Sequence, residues 1–169
     1  MLGSRPAASE TLNVVLISLD TTRADHLGCY GHPSSITPNI NRLASEGTLF
    51  TQCTSVAPST LPSHASLLTG TYPFIHGARV NGNFELPAEN HTITETLKEA
   101  GFVTGAQTAA MVLNREYGLN QGFDVYIDPR AVAAERPKPG GGPVRERRAA
   151  DVADRAIQFV RDHRAERFF

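Results

Sequence analysis

Thr60 opens the stretch of this chain with the most chemistry in it, Thr60-Leu-Pro-Ser-His-Ala-Ser-Leu-Leu-Thr-Gly70. A hydroxyl becomes a nucleophile when a base or a cation draws off its proton. Pro62 is well tolerated in a first helical turn, where an N–H would go unpaired. Ser63 to Thr69 supplies two turns, and Gly70 is the expected stop. Thr60 therefore stands at the mouth of a short helix, facing unpaired N–H groups and the positive end of the dipole. That setting suits an oxyanion such as phosphate or sulfate. The plainer reading is that the Thr60 side chain caps the helix, and the segment alone is compatible with both.

A carboxylate comes earlier in the chain. Asn13-Val-Val-Leu-Ile-Ser-Leu-Asp20 is a short apolar run rich in β-branched residues, which predicts a buried strand of a parallel sheet. Asp20 falls where that strand ends, and ligands of open α/β sheets bind beyond the carboxyl ends of strands. As a hard oxygen donor it suits a divalent cation. The competing reading pairs Asp20 with Arg23 or makes it a cap. His64, one helical turn after Thr60, is either a hydrogen-bond partner of the nucleophile or anion, or a surface helix residue.

The elements that must position these residues alternate. Thr37-Pro38 predicts a capped helix with Ile40, Leu43 and Ala44 on its apolar face and Gly47 at its end. Thr48 to Thr54 predicts a strand leading to Pro58 and Thr60. Thr92-Ile-Thr-Glu95 is a capping box opening a helix that ends at Gly101, and Phe102 to Gln107 predicts a strand. Val152, Ala156, Phe159 and Val160 give one amphipathic helix between Val144 and about Arg164. The run through residues 135–143, rich in Pro and Gly, predicts a mobile surface loop. Residues 1–11 predict a flexible tail. His76, Asn81, Asn83, Arg23 and Arg79 each have both a site reading and an ordinary turn or ion-pair reading.

Three segments in register resemble the sulfatase family of the alkaline phosphatase superfamily. They are Asp20-Thr-Thr-Arg-Ala-Asp-His-Leu-Gly-Cys-Tyr-Gly31, Thr37-Pro-Asn-Ile-Asn-Arg-Leu-Ala-Ser-Glu-Gly47 and Thr60 to Gly70. In that family the first strand ends in a metal-binding aspartate, and the nucleophile motif reads C/S-x-P-S-R-x-x-L-L-T-G. Gly70-Thr-Tyr-Pro-Phe-Ile-His-Gly77, Leu97 to Thr104 and Gly118-Leu-Asn-Gln-Gly-Phe-Asp124 extend the likeness over residues 12–169. The resemblance implies an α/β fold: a mostly parallel sheet flanked by helices, alkaline-phosphatase-like. It implies Asp20 and Thr60 as metal ligands, Thr60 as nucleophile and His64 as its assistant. The activity implied is hydrolysis of a sulfate or phosphate ester on a small molecule or glycan, with a divalent ion (calcium, zinc or manganese) as cofactor.

Three departures refine that expectation. Sulfatases oxidise a cysteine or serine to formylglycine, whereas threonine oxidation would give a ketone, so no formylglycine is expected at Thr60. Threonine nucleophiles attack phosphorus in other branches of the superfamily, including phosphoethanolamine transferases and nucleotide pyrophosphatase/phosphodiesterases. Phosphodiester hydrolysis or phosphotransfer is therefore the second reading, and a non-catalytic anion-binding module the third. His64 stands in place of the motif's arginine, and Thr21 in place of a second aspartate.

With 169 residues and a formal net charge of −1, the chain has the size of one ordinary domain and no electrostatic pull toward nucleic acid. The family needs a longer chain to complete its sheet and metal site, so the resemblance implies a piece incomplete at its C-terminus. No apolar run is long enough for a membrane span. Met1 to Glu10 lack the apolar core of a secretory signal, which points to the cytoplasm unless the N-terminus is incomplete. Cys29 and Cys53 read as buried free thiols. Nothing in the sequence speaks to oligomeric state.

Overall fold

The computed structural model describes residues 12–33, 36–135 and 146–169. The expected tail over residues 1–11 and nearly all of the expected loop over 135–143 lie outside that set.

Local signals set the first helix. Pro38 at its start and Gly47 after its end bound α1, Pro38–Glu46. Thr37 does not cap it through its side chain; its Oγ1 instead accepts from Gly28 N–H at 3.3 Å. Leu43, assigned by periodicity to the apolar face, is 67% exposed. The predicted strand over Thr48–Thr54 is irregular chain with a turn, because it finds no ladder partner among the described residues.

The helix after it contributes one face to the apolar core. α2 runs Thr60–Thr69 and is closed by Gly70 at φ +67°. Its inward residues Leu61, Ala65 and Leu68 pack with Ala78, Leu86, Leu113, Leu119 and Tyr126 into one apolar cluster. A one-turn helix, α3 (Pro73–His76), follows and packs against α2. The next helix, α4 (Ile93–Glu99), has both halves of its capping box: Glu95 N–H donates to Thr92 Oγ1, and Thr92 N–H to Glu95 Oε2.

Two short strands, β1 (Gly105–Gln107) and β2 (Val125–Ile127), pair in parallel with Gly105 opposite Val125. The hydrogen-bonded series extends beyond them. Gly105 N–H donates to Phe169 O, Val103 N–H to Arg167 O, and Val14 N–H to Phe168 O. The chain thus lines up its first described residues, its last residues, β1 and β2 side by side. α5 (Pro129–Glu135) leaves the end of β2, and α6 (Ala149–Asp162) packs on β1. Phe159 of α6 fills the space a side chain at Gly105 would take, 2.5 Å from a Cβ built there.

Two further expectations need correction. Asn13 to Asp20 is irregular chain ending in a turn, not a buried strand: Val15 is 65% and Ile17 72% exposed. Among the described residues its one ladder bond is from Val14 N–H to Phe168 O, and no described element covers its faces, so the apolar run has nothing there to bury against. Cys53 is exposed and Cys29 half-buried, although both are free thiols as expected. The irregular path of 48–54 leaves Cys53 on the surface.

Candidate functional site

Asp20 and Thr60 meet. The Thr60 hydroxyl donates to Asp20 Oδ1 at 3.2 Å and Oδ2 at 3.1 Å, across forty positions of sequence. The carboxylate sits in the turn that ends the 13–20 segment and the hydroxyl begins α2, so two distant parts of the chain meet in one pair. Thr60 is the first residue of the helix rather than the one before it; Ser59 holds the cap position and makes no side-chain cap bond. With its proton aimed at Asp20, Thr60 is not capping the helix.

Thr21, directly after Asp20, has φ +53°, the one non-glycine positive φ among the described residues. A β-branched residue in that region costs on the order of 1–2 kcal/mol. The turn is closed by Thr22 N–H on Leu19 O at 3.3 Å, and the exposed Asp20 carboxylate within it reaches Thr60.

His64 lies one turn along α2, half-buried. Its Nδ1 is 2.8 Å from the Thr60 carbonyl oxygen. A carbonyl only accepts, so Nδ1 carries the proton and the ring holds the backbone of Thr60 rather than its hydroxyl. A second donor on that ring exists only when the imidazole is protonated.

The first turn of α2 has fewer open donors than its sequence suggests. Pro62 has none. Ser63 N–H is bonded to Ser59 O, and Leu61 N–H donates to Asn81 Oδ1 at 2.9 Å. Thr60 N–H alone is left without an acceptor among the described residues. Asn81 thus serves as a cap from a distant loop. The Asn-Gly turn signal locates the loop in the sequence, but nothing there shows which helix it reaches.

The remaining sequence candidates separate from this pair. Arg23 forms a bidentate ion pair with Asp25, at 2.9 and 2.6 Å, and not with Asp20. Arg23 holds the Asp25 carboxyl below the usual carboxylate range, chiefly through that hydrogen bond. His76, read as a surface turn or site residue, is buried at 1% exposure. Its ring spans Ser66 Oγ at 2.9 Å and Ala78 N–H at 3.2 Å, and burial pushes its pKa down. Arg79 and Asn83 are exposed. A hollow of about 570 Å³ lies along another face of α2, lined by Cys53, Ser55, Ser63, Leu67 and Tyr72. It includes none of Asp20, Thr60 and His64.

The Asp20 and Thr60 oxygens are hard donors of the kind calcium and manganese take, and zinc also accepts a carboxylate oxygen. Among the described residues no group of three or more His, Cys, Asp or Glu side chains could hold a metal ion. The pair therefore fits as part of a divalent site, whose other ligands would be water, substrate or groups outside this set.

The family model for sulfatases matches residues 12–169. The chain belongs to the sulfatase family. Relatives include the N-acetylgalactosamine-6-sulfatase of Canis lupus familiaris, 36% identical over 109 residues, which are 57% of this chain and 21% of the relative. The steryl-sulfatase of Rattus norvegicus is 33% identical over 155 residues, 78% of this chain and 26% of the relative. This sulfatase chain thus spans about a fifth to a quarter of the length of these curated relatives. Among solved structures, the phosphonate monoester hydrolase of Agrobacterium radiobacter superposes with a TM-score of 0.70 at 23% identity, covering 92% of this chain and 39% of that one. That likeness shows the fold, which is α/β and alkaline-phosphatase-like. No helix among the described residues is long and apolar enough to cross a membrane.

Proposed function

We propose that this chain carries the nucleophile of a metal-dependent, sulfatase-like hydrolase of sulfuric or phosphoric esters, with Thr60 as that nucleophile. The observation that supports it is the Thr60 hydroxyl held on both oxygens of Asp20. Asp20 aligns the O–H bond and fixes which lone pair of Oγ1 faces away from the carboxylate, toward an incoming ester. As Oγ1 attacks, its proton passes along the hydrogen bond to Asp20. An Oγ1–P or Oγ1–S bond forms while the ester bond to the alcohol breaks, and the alcohol leaves with the bonding pair and takes up a proton from water. Water then cleaves the Thr60 ester and restores the hydroxyl. A divalent ion on Asp20 would favour loss of the hydroxyl proton and offset charge on the transferring group. His64 steadies the backbone at Thr60 through its Nδ1–H. Thr60 N–H and the positive end of α2 face the substrate oxygens. The substrate is a sulfate or phosphate ester of a small molecule or glycan, and calcium, zinc or manganese is the cofactor.

A second reading, phosphodiester hydrolysis or phosphoryl transfer, is favoured by one residue. Threonine cannot yield the formylglycine aldehyde, and an unmodified hydroxyl suits attack at phosphorus. Paired aryl sulfate and aryl phosphodiester substrates, assayed with each of the three metals, separate the two. Loss of turnover in Thr60→Ala supports the catalytic reading. Binding of sulfate or phosphate without turnover by the parent protein would replace it with an anion-binding module.

A further inference from the structure

The loop from His76 to Asn81 touches α2 at two levels. Near the middle of the helix the buried His76 ring bonds Ser66 Oγ at 2.9 Å, and Ala78 N–H locks the ring from the other side. At the start of the helix Asn81 Oδ1 takes the Leu61 N–H at 2.9 Å. Ala78, between these points, is fully buried in the cluster under α2. The loop is therefore fastened to the helix along its length.

The upper fastening matters because of what α2 lacks. Ser59 gives no side-chain cap, and Pro62 removes one donor. Leu61 is completely buried, so its N–H would stay unpaired without Asn81, a costly state for a buried donor. Because the partner is an N–H, the facing amide atom of Asn81 must be its oxygen. Leu61 is the residue after Thr60, and its peptide N–H belongs to the plane that carries the Thr60 carbonyl. That carbonyl is also the acceptor for His64 Nδ1. One peptide unit is thus held at its N–H by Asn81 and at its C=O by His64, and the Thr60 side chain hangs from it.

We infer that Asn81 is a positioning residue for Thr60, fixing the Thr60–Leu61 peptide plane from outside the helix so that the hydroxyl meets Asp20. The inference rests on the nucleophile reading above and goes further: it makes a residue outside the nucleophile motif decide the geometry of attack. Asn81 also sets which first-turn donor of α2 a substrate oxygen meets, since among the described residues it leaves Thr60 N–H open.

The test uses Asn81→Leu, which removes the acceptor at similar size, and Asn81→Asp, which keeps an acceptor and adds charge, with Thr60→Ala as reference. Misplacement of a reacting group lowers kcat about 10- to 100-fold. Asn81→Leu is expected to show that loss with KM within about threefold of the parent, since ground-state binding is little changed. Asn81→Asp is expected to recover most of kcat, with a raised KM from charge beside an anionic substrate. Unchanged kcat in Asn81→Leu, with Thr60→Ala inactive, overturns the role of Asn81 and leaves the nucleophile reading standing. Activity in Thr60→Ala equal to the parent overturns the nucleophile reading, and this inference with it. Should Asn81→Leu fail to melt cooperatively, Asn81→Asp decides: retained kcat supports the role and a matching collapse in a folded Asn81→Asp overturns it.

Discussion

The Thr60 hydroxyl reaches both oxygens of Asp20, at 3.2 and 3.1 Å, and so ties the start of a helix to a turn forty residues earlier. A bond shared over two oxygens tolerates small rotations of the carboxylate while keeping the proton on it. The charge on Asp20 is therefore central to the account. Asp20→Asn keeps the shape and removes the charge, and we expect kcat/KM to fall about 10²- to 10⁴-fold. Calorimetric titration with calcium or manganese should show weaker binding in the same variant. Kinetics within threefold of the parent would remove Asp20 from the site.

His64 grips the Thr60 carbonyl through Nδ1 at 2.8 Å. Its loss should loosen the first turn of α2 without unmaking the helix. His64→Ala is expected to lower kcat about tenfold, the scale of a modest misplacement, and to leave a cooperative melt. His64→Asn, with an amide donor on a short stem, should recover part of the loss. Equal kcat in parent and His64→Ala would reduce His64 to a surface residue.

Burial holds His76 below the ordinary histidine value of 6.5. The unfolded chain then binds a proton that the folded chain refuses, so the stability that His76 contributes is full above pH 6.5 and is lost as pH falls below it. Thermal melts of the parent should move to lower Tm as pH falls below 6.5. His76→Gln should melt lower than the parent at neutral pH, having lost packing, but with a flatter dependence in that range. Parallel curves for the two proteins would show that His76 does not titrate on unfolding.

How far the sequence could be read depended on the range of the forces involved. α2, its proline and its Gly70 stop are local, and so is the capping box at Thr92; all were legible. The end of a β-branched run at Asp20 located the carboxylate. Whether that run becomes a buried strand depends on what covers it, and the exposed Leu12 and Ile17 show that the described residues do not supply the cover. The same dependence undid the strand expected over Thr48–Thr54. Asn81 and His76 were ambiguous because their partners, Leu61 and Ser66, are brought close only by the fold. Periodicity and turn chemistry carry no information about which helix a loop will touch.

Gly118 sits at φ +76° with the Leu86 carbonyl oxygen 2.2 Å from where a Cβ would stand. An alanine there meets both an unfavourable backbone region and a backbone clash that cannot rotate away. Gly118→Ala should destabilise the fold by about 3 kcal/mol, the sum of left-handed strain and overpacking. Urea unfolding followed by circular dichroism measures it. A loss under about 1 kcal/mol would mean the Leu86 loop moves aside easily.

The most direct test of Thr60 as nucleophile is mass spectrometry of the peptide containing it, quenched during turnover of an aryl phosphodiester or aryl sulfate. The account predicts a mass increase of one transferred phosphoryl or sulfuryl group on Thr60, absent from Thr60→Ala. Turnover with no label on Thr60, or turnover that persists in Thr60→Ala, would contradict it.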